Sequence, residues 1–175
     1  MEITNHGQIE KITIPAGWVE GPPTEFQGIG TRSLREFHPP DAPNAQLCLF
    51  YRGLPVSADA GDAFRSILAE PDHQLTPEEI ESLREILRER ADSKVFDLVN
   101  PPRTALVGDK RVLMLEGVYK GTNKYLQEIF LNADGSGRVV QEIYFIAPQD
   151  DYCLHAVAAQ EACNSIQWKV AVETW

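Results

Sequence analysis

Residues Arg111–Lys120 read RVLMLEGVYK, Lys124–Asn132 read KYLQEIFLN, and Arg138–Ala147 read RVVQEIYFIA. All three runs are rich in β-branched and aromatic side chains, which suit a pleated, half-buried surface. Gly121-Thr122-Asn123 separates the first two and tolerates positive φ. Ala133-Asp134-Gly135-Ser136-Gly137 separates the second from the third. Three strands joined by two tight turns predict an antiparallel meander. Leu113, Leu115, Leu126, Phe130, Val140 and Ile143 are its expected buried residues.

Outward from the meander, the patterning predicts further strands and three helices. Ile9–Ile14 alternates as a strand and ends at Pro15-Ala16-Gly17-Trp18. Glu20 to Gly30 reads as a loop, Arg32–Phe37 as a second strand, and the prolines of His38–Asn44 as irregular chain. Together, Glu20–Asn44 is a long connection of the kind that contacts partners. Ala45–Arg52 is an apolar run suited to the middle of the sheet. Ser57 caps a first helix, with Phe64, Ile67 and Leu68 inward. Thr76-Pro77-Glu78-Glu79 is a capping box that opens a second helix running to Arg90. Ile80, Leu83 and Leu87 form its inner stripe; Glu81, Arg84, Glu85 and Arg88 form its solvated face. Val95–Val99 predicts an edge strand. Tyr152–Ile166 predicts a last helix that lays Leu154, Val157, Ala158, Ala162 and Ile166 on the sheet, and Gln167–Trp175 continues as a strand or a tail. The expected class is α+β: an antiparallel sheet with helices packed against it, in one domain of residues 1–175.

Composition narrows the functions. Hydrophobic residues make up 43% of the chain and the net charge is -10. Affinity for nucleic acid comes largely from basic surface on phosphate, so nucleic acid is not an expected ligand. A basic protein partner suits the charge better, and plain solubility explains it as well. No apolar run reaches the roughly 18 residues of a membrane span. The N-terminal MEITNHGQIEKITIP has no basic and apolar leader pattern, so a cytoplasmic location is expected. Cys48, Cys153 and Cys163 are an odd number without paired spacing, which fits a reducing compartment.

The sharpest chemical signal is a glutamate in each meander strand. With a three-residue and a five-residue turn, Glu116 faces Glu128, and Glu128 faces Glu142, with Tyr144 flanking them. Facing carboxylates need a cation, a basic partner or raised pKa values. A one-residue slip would instead send a glutamate to the other face. The row is the basis for a hydrolase or metal-dependent enzyme. Trp18 either lines a recognition pocket or packs at the sheet edge. His6, His38, His73 and His155 show no ligand spacing, and Cys153 and His155 point apart on a helix. Gly28-Ile29-Gly30 lacks the third glycine of a nucleotide loop, and Asp134-Gly135-Ser136-Gly137 reads as a turn. No cofactor and no metal are expected.

The element order resembles the PsbP-like superfamily, which includes the photosystem II protein PsbP, the bacterial DcrB proteins and a release factor for the GTPase Ran. The likeness rests on Ile12-Thr13-Ile14-Pro15-Ala16-Gly17-Trp18, on Leu115-Glu116-Gly117-Val118-Tyr119 and on Ala162–Trp168. The resemblance implies an α/β/α sandwich and a role in binding, assembly or chaperoning rather than catalysis. An apolar-ligand carrier is a further reading; it needs a sizeable cavity between the sheet and the last helix.

Overall fold

The computed structural model describes residues 1–22, 24–26 and 32–169, with backbone alone for 24–26, 32 and 33. The chain begins with β1 (Glu2–His6), β2 (Ile9–Thr13), β3 (Val19–Glu20), β4 (Thr24–Phe26), β5 (Arg32–His38), β6 (Gln46–Phe50) and β7 (Leu54–Pro55). A helical segment follows: α1 (Ala58–Ala69), α2 (Pro77–Ser82), α3 (Arg84–Leu87) and a 3-10 turn at Arg88–Ala91. Next come β8 (Phe96–Leu98), β9 (Arg103–Val107), β10 (Lys110–Tyr119), β11 (Lys124–Asn132) and β12 (Val139–Pro148). Helix α4 (Gln149–Asn164) and β13 (Gln167–Trp168) end the described chain. The class is α+β and its strand pairings are antiparallel.

The meander forms as expected and sits inside a larger sheet of order β3-β5-β6-β12-β11-β10-β8. The apolar run Ala45–Arg52 becomes β6, between β5 and β12. At the far edge, β8 and β9 pair with different halves of β10. A second, small sheet has the order β1-β2-β13. Alternation along each strand sorts the meander residues into two cores. Ile129, Leu131, Ile143 and Phe145 join Leu47, Leu49, Ile9, Ile12 and, from α4, Ala159, Ala162 and Cys163. Leu113, Leu115, Leu126, Phe130 and Val140 join Phe64, Ile67, Leu83, Ile86 and Leu87. All six expected meander residues are therefore buried, split between the two faces.

Four expectations need correction. The polar N-terminus contributes a strand, β1, because Asn5 and Gly7 take positive φ and fold it back on β2. The expected strand Arg32–Phe37 forms as β5, but Glu20–Gly30 is not all loop: β4 lies in it, and β3 and β4 each pair with β5. Gly28-Ile29-Gly30 and residues 170–175 fall outside the described residues. The second helix does not run unbroken to Arg90. Its capping box is present, with Thr76 Oγ1 accepting from Glu79 N and Glu79 Oε2 accepting from Thr76 N. The helix breaks at Leu83, and Arg88 then takes a φ of 54°. That conformation is strained for a non-glycine residue and turns the chain sharply.

The fourth correction concerns α4. Its inward residues are Tyr152, Ala159, Ala162 and Cys163. Ala162 and the following Ile166 are buried as expected, but Leu154 is 74% exposed and Val157 70% exposed, so those two point outward.

Gly117 on β10 fixes how closely β8 approaches. A Cβ there would lie 2.3 Å from the Phe96 ring and 2.4 Å from the Asp97 carbonyl oxygen. Backbone on one side and a packed ring on the other cannot both yield. Gly117→Ala is expected to destabilise the fold by about 3 kcal/mol or more, read as a lower denaturation midpoint in urea with an unchanged slope. An unchanged midpoint would refute this account of the β8–β10 edge.

Candidate functional site

The observed register splits the glutamate row. Glu116 pairs with Gln127, and Leu115 pairs with Glu128. The β10–β11 turn is therefore one residue out of step with the assumed three-residue loop, and Glu116 goes to the opposite face. Between β11 and β12, Glu128 pairs with Tyr144 and Phe130 pairs with Glu142. That shift is two residues, so Glu128, Glu142 and Tyr144 stay on one face, with the two carboxylates diagonal.

Both carboxylates are buried, and each has a cation from the turn after α3. Arg90 Nη2 donates to Glu128 Oε1 at 3.1 Å. Arg90 Nε lies 2.9 Å from Glu128 Oε2, close for two charges but off the line of a hydrogen bond. Arg90 Nη1 also donates to Glu89 Oε1 at 3.0 Å, and Tyr119 donates to the same oxygen at 3.4 Å. Arg88 Nη2 donates to Glu142 Oε1. The positive φ of Arg88 is what aims this guanidinium inward instead of along the solvated face assigned to it. Burial pushes the Glu128 carboxyl well above the usual carboxylate range, and the Arg90 charge pulls the other way. Both carboxylates are buried against guanidinium groups. The four groups form an ionic clamp between the sheet and the turn that covers it.

Arg88 and Arg90 were missed in the sequence because they sit in an ordinary-looking charged run, RERA. One signal did point to them. A glutamate in each of two apolar strands, KYLQEIFLN and VVQEIYFIAP, demands a cation wherever both strand faces are covered.

The other expected residues lie apart from the clamp or at its rim. Glu116 accepts a hydrogen bond from the Tyr152 hydroxyl of α4 at 2.6 Å. Burial, then the Glu116 carboxylate, pushes the Tyr152 phenol up, so it stays a donor. Tyr144 packs against Phe50, with ring centroids 5.9 Å apart, and pairs with Cys48 across β6. Trp18 is buried, with its ring 5.9 Å from Phe145 and 6.0 Å from His155. It is a packing residue against β12 and α4. Cys48 and Cys163 are buried, and burial pushes each thiol up to about 12. Such thiols are poor nucleophiles. Asp134 accepts from the Ser136 amide and hydroxyl, which accounts for it as a turn residue.

One histidine has acquired partners that its sequence spacing concealed. His73 Nδ1 lies 2.8 Å from the Pro71 carbonyl oxygen, and Nε2 lies 3.0 Å from Glu79 Oε1. Glu70 is close enough that one ligand atom from each of the three lies within 4.8 Å of the others. Both ring nitrogens of His73 already have acceptors, so the imidazolium form satisfies the arrangement. The Pro71 carbonyl and Glu79 accordingly raise the His73 pKa.

No protein-family model matches the chain, and no curated protein matches it. Geometry is thus what bears on function.

Removing one partner of a buried ion pair strands the other charge. Glu128→Leu is expected to destabilise the protein by about 3–5 kcal/mol. The double variant Glu128→Leu/Arg90→Met should recover most of that loss, because an apolar pair of similar volume needs no solvation. Guanidinium denaturation of the two variants checks this; additive losses would show that the clamp is not a coupled pair.

Proposed function

We propose that the chain is a non-catalytic binding or assembly module of the PsbP-like kind, which holds a basic protein segment on the outer face of α4. Its architecture is read as a sandwich. The core containing Ala159, Ala162 and Cys163 lies on one side of the meander, and the core containing Phe64, Leu83 and Ile86 on the other.

The observation that carries the reading is the inversion of α4. A surface helix ordinarily turns its larger apolar side chains to the core. Helix α4 instead packs through Tyr152 and small residues and presents Leu154 and Val157 to the outside. Asp150, Leu154, Val157 and Glu161 follow one another at helical spacing along that face. The apolar centre therefore has carboxylates at both ends. Such a stripe complements an amphipathic partner with apolar anchors and flanking Lys or Arg. The net charge of -10 steers the same kind of partner.

The hydrolase alternative draws no support from the glutamates. One is on the opposite face and the other two are held by arginines.

The double variant Leu154→Lys/Val157→Lys tests the reading. Both side chains are exposed, so its thermal midpoint should match the parent protein. Affinity capture from native extract, followed by mass spectrometry, should lose its salt-sensitive, basic partner with the variant. Sedimentation of the purified chain separates this from self-association. Equal capture by parent and variant, or a salt-insensitive dimer lost in the variant, would overturn the proposal.

A further inference from the structure

We propose that the cleft between α4 and the β9–β10 edge of the sheet binds a small aliphatic zwitterion, chemically an α-amino acid. This goes beyond the protein-binding role of the outer face of α4 and uses the opposite side of that helix.

The cleft has an apolar floor and two opposite charges at its rim. Met114, Ile129, Ile143 and Cys163 line it, with Glu116, Gln127, Gln160 and Arg103 among its polar residues. Strand register explains why the charges meet there. Arg103 pairs with Met114 across β9–β10, and Glu116 is two residues further along β10. Arg103 and Glu116 are therefore diagonal neighbours on one face, roughly 7–8 Å apart. Among the described residues they make no ion pair with each other or with any other group; Glu116 takes the Tyr152 hydroxyl. Two unpaired charges of opposite sign, bracketing apolar surface, match a ligand that carries both signs on one small body.

The volume sets its size. The cleft holds about 90 Å³ of water-accessible space. One water needs about 10–15 Å³ on that measure, so a ligand of roughly six to nine non-hydrogen atoms fits. Valine and leucine are of that size. Nucleotides, sugars and long-chain fatty acids exceed that size, and the sizeable cavity of an apolar-ligand carrier is not provided by this cleft.

Each polar group has a role. The Arg103 guanidinium offers a planar fork that matches a carboxylate. The Glu116 carboxylate accepts from the ligand ammonium, while Tyr152 occupies one of its oxygens and fixes its direction. Gln127 Nε2 donates to the Ala156 carbonyl at 2.9 Å, which leaves its own carbonyl oxygen as a further acceptor. The apolar floor receives the side chain.

Isothermal titration of the full chain with L-valine and L-leucine tests the proposal, with butyrate and butylamine as probes of one charge each. The expected result is saturable binding of the amino acids at millimolar concentration or below, and at least about tenfold weaker binding of either singly charged probe. Glu116→Gln keeps an acceptor for Tyr152, and Arg103 is exposed, so both Glu116→Gln and Arg103→Met should leave the thermal midpoint in place. Each should weaken amino-acid binding at least about tenfold. No saturable binding of either amino acid would overturn the proposal. So would equal binding of butyrate or butylamine, or amino-acid binding unchanged in both variants.

Discussion

The contact between Arg90 and Glu128 is the constraint on which the helical side of the molecule depends. Glu128 sits in the middle of β11 with its side chain fully buried. Leaving a carboxylate there unpaired would cost several kcal/mol by desolvation alone. The chain meets this by ending α3, forcing Arg88 through a positive φ, and returning Arg90 over the sheet. The position of that turn then sets the start of β8, because Phe96 and Val95 donate back to Asp92. An ion pair of this kind specifies position more than it adds stability. It admits one placement of the turn, since both glutamates must meet an arginine together.

The opposite face is organised by size rather than charge. Alanines and a cysteine on the inner side of α4 let the helix approach Ile129 and Ile143 closely. Close approach has two consequences. It brings the Tyr152 hydroxyl to Glu116, and it leaves Leu154 and Val157 without any core to enter. The small cleft and the exposed apolar stripe are thus two results of the same packing. Tyr152 belongs to the core with Tyr125 and Phe145, at ring distances of 5.4 and 5.7 Å, so the group that orients Glu116 is itself rigid.

Much of the meander could be read from composition alone. β-Branched and aromatic residues over ten positions, punctuated by glycine turns, admit few other structures. The capping box at Thr76 was equally legible, because its hydrogen bonds lie within four residues. What failed was anything that depended on counting across a turn. One residue of difference between β10 and β11 moved Glu116 from the clamp to the cleft. Helical periodicity also misled at α4, where it identified an apolar face without deciding which face the sheet would accept.

By itself, then, the sequence determined the meander, the strands at Ile9, Arg32 and Ala45, the starts of the first two helices and the presence of carboxylates that could not remain unpaired. Those properties are local: they follow from backbone preference, side-chain shape and the free energy of solvating a charge. Only the tertiary structure decided which carboxylates share a face, that Arg88 and Arg90 answer them, and which side of α4 is buried. Each of those depends on register and on packing between distant segments, where a shift of one residue exchanges inside for outside.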